Sequence, residues 1–281
     1  MSALAIVLDG RLLDANSARV SVLDRGFLYG DAVSETTRAR GRIAFALETH
    51  LDRLELSCRE LALPMPSRAS LRADATYALL SLGPAEEHAA LRFQVTRGAS
   101  GVGLDDVDPE APPTVLVTAR SIAAPKPRAT VTVARADTAF SAPFPAKVTS
   151  YAATIRARVE ARRRGKDDVL FVTPGGNVIE GGSSNVVAIV GTKVRAPLAG
   201  ALDGITRRIA LELASGLGFD VNDGPLAWQE LLDAEEAFLT SSLRGVARIV
   251  SVDGAPLPAH GATGDALCDA YFARFMRETA P

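Results

Sequence analysis

The sequence predicts an α+β fold in two domains. Three observations carry that expectation. Strand-like runs precede helix-like runs in each half of the chain. The stretch Ser121-Ile-Ala-Ala-Pro-Lys-Pro-Arg128 has no periodicity and reads as a linker between the halves. The 281-residue length allows one large domain or two modest ones, with enough interior for a real core. The expected domains are residues 1–119 and 129–281, joined by a linker over 120–128.

In the first half, Ala3 to Leu8 reads as a strand closed by an Asp9-Gly10 turn. Ser34 to Arg40 and Ile43 to Leu47 read as strands around a Gly41-Arg42 turn. Thr49 is expected to cap a helix carrying Leu51, Leu54, Cys58 and Leu61 at spacings of three and four. Ser67 is expected to cap a second helix through Leu82. Leu91 to Thr96 and Thr114 to Thr118 read as strands flanking a Gly-rich, acidic loop from Gly98 to Pro113.

In the second half, Thr130 to Ala134 resumes strand character. Ser150 to Arg164 reads as a helix stopped by Gly165. A Pro174-Gly175-Gly176-Asn177 turn joins Val169–Val172 to Val178–Glu180 as a hairpin. Asn185 to Val190 is a further strand. Thr206 to Leu217 is helical, with Ile209, Leu213 and Leu217 on one stripe. Phe238 to Thr240 and Ile249 to Val252 are strands, and Gly264 to Thr279 closes the chain as a helix.

Composition removes several function classes. A net charge of −2 supplies no global field to draw nucleic acid or an anionic membrane. No apolar run approaches the ~18 residues needed to span a bilayer. Three histidines and two distant cysteines, Cys58 and Cys268, make a metal centre or a histidine-dependent triad an unpromising reading. A reduced, cytoplasmic setting is expected from the cysteines.

Lysine is scarce, which narrows any lysine chemistry to Lys126, Lys147, Lys166 and Lys193. Lys126 lies in the linker, Lys166 in a charge run and Lys193 at an expected hairpin tip. Lys147 follows Ala142-Pro-Phe-Pro-Ala146 and precedes a helix, at an expected junction between buried elements. A desolvated lysine there has a lowered pKa and can form an imine; local context alone favours an ordinary exposed lysine before a helix. Glu180 ends a strand and leads into Gly181-Gly182-Ser183-Ser184-Asn185. That pattern suits a carboxylate holding a pyridine proton beside a phosphate-binding turn, or a plain hairpin. Gly204-Ile205-Thr206 opens a helix, where free N–H groups and the dipole favour an anion. Arg53 sits one turn into its helix, next to the apolar stripe, where arginines commonly snorkel to water.

Taken together, these pieces resemble the class IV aminotransferases, the fold type IV pyridoxal-phosphate family. Asp24-Arg-Gly-Phe-Leu-Tyr-Gly-Asp31 with Ser34-Glu-Thr-Thr-Arg38 resembles the family's N-terminal signature. His50-Leu-Asp-Arg53-Leu54, Lys147-Val-Thr-Ser-Tyr151, Val178 to Asn185, Leu202-Asp-Gly204-Ile205-Thr206-Arg207 and Thr240-Ser241-Ser242-Leu-Arg244-Gly-Val246 are similar to its later motifs, in order. The resemblance implies a smaller N-terminal α/β domain and a larger, β-barrel-like C-terminal domain. It implies pyridoxal 5′-phosphate held as a Schiff base by Lys147, which then moves the substrate proton. Glu180 pairs with the pyridine nitrogen, and Tyr151 contacts the cofactor's O3′. Arg53, the Ile205 and Thr206 amides and Ser242 bind the phosphate; Ser184, Asn185, Gly204 and Ser241 complete the cofactor set. No metal is implied. Amino and oxo acids are the expected partners, in a homodimer whose sites lie at the subunit interface.

Within the family, the chain is most similar to the D-amino-acid aminotransferase and 4-amino-4-deoxychorismate lyase branches. The first expectation is an aminotransferase for D-amino acids with 2-oxoglutarate or pyruvate as acceptor. The lyase is the alternative, and a branched-chain L-amino-acid or (R)-amine aminotransferase the third. A cofactor-free binding protein is disfavoured because Lys147 and Glu180 are both present. The Arg-x-His pair of the D-amino-acid branch is replaced by Val102 and Leu104, so another cation must bind the substrate carboxylate. Arg38, on the Ser34 and Thr36 face of its strand, Arg97 and Arg244 are the candidates, with Ser34 lining the same site.

Overall fold

The computed structural model describes residues 3–137 and 146–280. They form two compact units: Met1–Ala124 with Pro145–Ser150 and Arg277–Pro281, and Pro125–Phe144 with Tyr151–Met276. The chain therefore crosses near the expected linker and again at later points, and Lys147 belongs to the first unit. The prolines at Pro143 and Pro145, on which part of the Lys147 expectation rested, lie outside the described residues.

The first unit runs β1 (Leu4–Leu8), β2 (Arg11–Leu13), α1 (Arg25–Tyr29), β3 (Ala32–Arg40), β4 (Ile43–Ala44), α2 (Leu47–Glu60), α3 (Arg68–Ser81), β5 (His88–Thr96) and β6 (Val115–Ser121). Its six strands lie in the order β2-β1-β6-β5-β3-β4, all antiparallel. The predicted stripe on α2 is the core: Leu51, Leu54 and Cys58 are sealed against Val33 and Ala39 of β3 and Leu71, Ala75 and Ala78 of α3. Burying each leucine contributes roughly 2–3 kcal/mol.

The start of α2 differs from the expectation. Ala46 at φ 50° is its N-cap, and Thr49 lies inside the first turn. Two tertiary hydrogen bonds set this. The Thr37 hydroxyl donates to the Phe45 carbonyl at 2.6 Å, and the Phe45 N–H donates to the Arg38 carbonyl at 2.9 Å. They tie the chain to β3 up to Phe45, so the strand expected through Leu47 ends at Ala44 and the helix follows at once. Ser67 caps α3 as expected, accepting from the Ser70 N–H at 3.0 Å.

The second unit runs β7 (Thr130–Asp137), α4 (Ala152–Arg163), β8 (Asp168–Val172), β9 (Asn177–Gly181), β10 (Asn185–Val190), β11 (Lys193–Arg195), α5 (Ile205–Gly216), β12 (Asp220–Asn222), β13 (Leu226–Ala227), α6 (Trp228–Leu232), β14 (Glu236–Ser241), β15 (Gly245–Val252), β16 (Ala255–Pro256) and α7 (Ala262–Glu278). Its sheet has the order β12-β11-β10-β14-β15-β7-β8-β9-β13, with β16 beside β15, and curls into a half-barrel. β7 and β8 pair in parallel, with α4 between them in sequence, as a parallel pair requires. Val133, Leu170, Val186, Leu239 and Ile249 fill its core. No helix among the described residues is long and apolar enough to cross a membrane.

Candidate active site

The first unit gathers several candidate residues along β3. Lys147 lies beside the N-terminal end of that strand. The Ser34 N–H donates to the Lys147 carbonyl at 2.9 Å, Val33 bridges Val148, and the Thr149 N–H donates to the Ala32 carbonyl at 3.0 Å. From the other side, the Lys147 N–H donates to the Ser57 hydroxyl of α2 at 3.0 Å. The lysine backbone is thus fixed by a strand and a helix while its side chain stays half-buried. Such fixation suits a nucleophile that must not wander.

Arg53 does not snorkel. It is buried, and its guanidinium forks onto Glu35 of β3, with Nε donating to Oε1 at 2.7 Å and an Nη to Oε2 at 2.9 Å. His50, one turn earlier on α2, places Nδ1 2.7 Å from the same Oε2. Burial alone would raise the Glu35 carboxyl, but the Arg53 charge and the hydrogen bonds from His50 and Arg53 outweigh it and hold the pKa down to about 2. Burial lowers the His50 pKa by more than its bond to Glu35 raises it, and the Arg53 and Lys147 charges lower it further. Glu35 was missed from the sequence. The signal lay in Arg53: an arginine on an apolar stripe needs a buried anion, and the neighbouring strand had one.

The candidate substrate arginines separate. Arg97 donates to both Asp31 oxygens, at 2.6 and 3.0 Å, and to the Leu61 and Ala62 carbonyls past α2. It is a strut, which corrects the expectation that it could take a substrate carboxylate. Arg38 is buried on the Ser34 face of β3 and donates to the Ala123 carbonyl at 2.9 Å. The β3–β5 register adds a residue that the sequence reading missed: Arg92 sits opposite Thr36 and Gln94 opposite Ser34, on that same face. Among the described residues, Arg92 bonds only the neutral Gln94 amide oxygen, at 3.3 Å. Val102 and Leu104 lie in a loop whose Gly103 and Leu104 carbonyls accept from Arg25, and their side chains are 63% and 71% exposed.

The second unit holds the other predicted residues in one neighbourhood. Glu180 is the penultimate residue of β9, and its Oε2 accepts from the Leu202 N–H at 3.1 Å; Asn185, which opens β10, donates from Nδ2 to the Leu202 carbonyl at 2.7 Å. Both therefore anchor the segment that leads into α5. The Gly181 N–H bonds the Ser184 carbonyl at 2.6 Å, and a Cβ at Gly181 would lie 2.2 Å from Ser184 Oγ, so the tight turn excludes a side chain there. Gly204 caps α5 without a side-chain bond, leaving the first-turn amides near Ile205 and Thr206 for an external acceptor. Ser241 ends β14, pairs with Gly245 of β15, and leaves Ser242 in the three-residue turn. Tyr151 caps α4. Arg244 ion-pairs with the fully buried Asp168, which Arg158 also approaches at 3.6 Å.

Among the described residues, three buried hydroxyls lack a hydrogen-bond partner: Ser34 Oγ in the first unit, and Ser184 Oγ and Thr240 Oγ1 in the second. Buried polar groups are rarely left so. Taken unit by unit, Ser34 Oγ and the anchored Arg53 in the first, and Ser184 Oγ, Thr240 Oγ1 and the uncapped start of α5 in the second, suit residues that hold a polar, phosphate-bearing cofactor.

A family model described as amino-transferase class IV matches residues 32–252, most of the chain. The protein belongs to the class IV aminotransferases, enzymes that use pyridoxal 5′-phosphate. It is 30% identical to a bifunctional aminodeoxychorismate lyase / D-amino acid transaminase of Mycobacterium tuberculosis, covering 91% of this chain and 93% of that one. It is 29% identical to a branched-chain-amino-acid aminotransferase of Pseudomonas aeruginosa, covering 94% and 90%. The fold matches a fold IV transaminase from Curtobacterium pusillum with a TM-score of 0.83 at 27% identity, over 98% of both chains.

Proposed function

We propose that the protein moves the amino group of an α-amino acid, D-enantiomers first, to a 2-oxo acid such as 2-oxoglutarate or pyruvate. The observation that carries this reading is the pair Arg38 and Arg92 on the Ser34 face of β3 and β5. Along a strand, alternate residues are roughly 7 Å apart, so both long side chains can serve a substrate held near Ser34 and Lys147. Arg92 has no carboxylate partner among the described residues, and a substrate carboxylate would supply one. Two arginines also suit a dicarboxylic acceptor. This support is independent of the loop at Val102 and Leu104, which offers no cation.

When bound, the cofactor supplies an electron sink for the carbanion at the substrate's Cα. The rest falls to side chains. Lys147 would hold the cofactor and would carry the substrate's α-proton. Arg53, aimed by Glu35, would bind the phosphate; in the second unit the Ile205 and Thr206 amides and the Ser241 and Ser242 hydroxyls are the groups suited to it. Glu180, located by the Leu202 N–H, holds the pyridine proton; Tyr151, Ser184, Asn185 and Gly204 shape the cofactor's surroundings. Exposed Val22, Phe27, Val102 and Leu104 on the first unit suit a homodimer, and the buried free cysteines suit a cytoplasmic setting.

A half-reaction titration of holoenzyme with paired D- and L-amino acids, read from the cofactor spectrum, tests the reading. D-amino acids are expected to convert the spectrum, with Arg92→Ala and Arg38→Ala each raising the apparent KM tenfold or more. Turnover of aminodeoxychorismate without any response to amino acids would replace this reading with the lyase. A response to L-leucine or to an (R)-amine alone would replace it with the branched-chain or amine reading.

A further inference from the structure

Lys166 and Arg162 take no part in the reading above, and neither has an ion-pair partner among the described residues. Their neighbours do: Arg163 pairs with Glu160 at 3.7 Å and Arg164 with Asp253. Both line a cavity of about 340 Å³ in the second unit, together with Arg244, Asp167, Ala129, Thr130 and Val131. The cations come from three places: the last turn of α4, the segment after it, and the turn between β14 and β15.

The two acids nearby do not neutralise the cavity. Asp167 Oδ2 is occupied by the Thr132 N–H at 2.8 Å and the Thr132 hydroxyl at 2.9 Å. Asp168 is fully buried and shared between Arg244 and Arg158. Of the residues that line the cavity, Arg162, Lys166 and Arg244 are positive and Asp167 alone is negative. The C-terminal end of α4 would oppose an anion, but its last carbonyls are taken up: Gly165 N–H bonds Arg162 O at 2.9 Å, and Lys166 N–H bonds Ala161 O at 2.9 Å. Holding Arg244 on a buried carboxylate fixes one guanidinium in advance and lowers the cost of ordering it around a ligand.

We infer that this cavity, lined by Arg162, Lys166 and Arg244, binds a small phosphomonoester. Cations converging from three elements suit a tetrahedral group, whose oxygens point in several directions, better than a planar carboxylate with two. The volume exceeds what one phosphate fills and is of small-ligand size. Ala129, Thr130 and Val131 line the remainder. The inference concerns a second site, and its outcome is separate from that of the transaminase reading.

The test is calorimetric titration of the cofactor-loaded holoenzyme with glycerol 3-phosphate in phosphate-free buffer, so that the cofactor's own phosphate site is filled. One saturable site per chain is expected. The Arg162→Ala/Lys166→Ala double variant should weaken binding by about tenfold or more, and the neighbouring Arg163→Ala by less than about twofold. Succinate, a dicarboxylate of similar charge, should bind at least about tenfold more weakly than the phosphomonoester. Binding that does not saturate, that falls equally in Arg163→Ala, that survives the double variant, or that succinate matches would overturn the assignment. Both substituted side chains lie at the surface or half-buried, so the variants should fold; equal thermal midpoints of variant and parent check this.

Discussion

Removing the Glu35 side chain should damage the first unit twice, and the two effects can be separated. Glu35 is fully buried and binds Arg53 at 2.7 and 2.9 Å and His50 at 2.7 Å. Glu35→Ala leaves Arg53 as a buried charge without its counter-ion, and breaking such a pair from one side costs about 3–5 kcal/mol. For a protein of this size each kcal/mol moves the melting midpoint by roughly 2–4 °C, so a drop on the order of 10 °C is expected in the cofactor-free protein. Differential scanning fluorimetry measures it. Cofactor affinity, measured by reconstitution, should fall as well, because Arg53 loses the partner that aims it. A second variant divides the two effects. In Glu35→Leu/Arg53→Met the buried charges are both gone, and replacing a buried ion pair by apolar groups is often close to neutral. At least half of the lost stability should return while cofactor affinity stays low. If Glu35→Ala melts with the parent, the pair carries no such weight; if the double variant recovers cofactor affinity along with stability, Arg53 does not bind the phosphate.

Three further outcomes follow from the same geometry. Lys147→Ala should abolish amino transfer and the cofactor's response to amino acids while leaving the melting midpoint within about 2 °C, since only the half-buried side chain is lost; residual turnover above background would remove Lys147 from its role. Acid should destabilise the protein in two stages: His50 and Glu35 both have lowered pKa values in the fold, so unfolding takes up protons, first below about 6.5 for His50 and then between 4.5 and about 2 for Glu35. Urea midpoints should fall from pH 7.5 to pH 5, and His50→Gln should flatten that part of the profile; an unchanged slope argues against a buried neutral His50. Gly245→Ala should cost about 1–3 kcal/mol, because Gly245 has φ +71° and an added Cβ would lie 2.7 Å from the Tyr271 ring; a midpoint equal to the parent's would show that the turn relaxes.

How much of this was legible in the sequence depended on whether the signal was local. Ser67 was found as a cap because its hydroxyl bonds an amide three residues on. The end of α4 was found because Gly165 adopts φ +71°, a conformation its own lack of a side chain permits. The start of α2 was not, because hydrogen bonds from Phe45 and Thr37, which join segments distant in local pattern, decide it. Short strands such as β11, β12 and β13 carry too few residues for alternation to show.

The same distinction explains the arginines. Arg97 was a candidate because it stands in Thr96-Arg97-Gly98, just ahead of the loop that carries Val102 and Leu104, yet place in the sequence says nothing about where a guanidinium points. Its donors are consumed by Asp31 and two carbonyls after α2, a fact set by tertiary packing. Arg92 was passed over because it sits within a strand with no turn, glycine or helix start beside it. Only the register, which sets Arg92 against Thr36 and Gln94 against Ser34, puts it on the face that Arg38 shares. A one-residue slip would have turned it to the opposite face, towards the leucine core of α2 and α3. An unpaired cation there would be untenable, so the core that fixes the register also fixes which arginine can meet a substrate. A variant with Arg92 moved to the adjacent position, Arg92→Phe/Phe93→Arg, keeps composition and charge. It should unfold or lose amino-acid binding altogether, whereas Arg92→Lys should retain the fold and raise the apparent KM alone. A stable swapped variant with parental KM would show that strand position does not determine recognition.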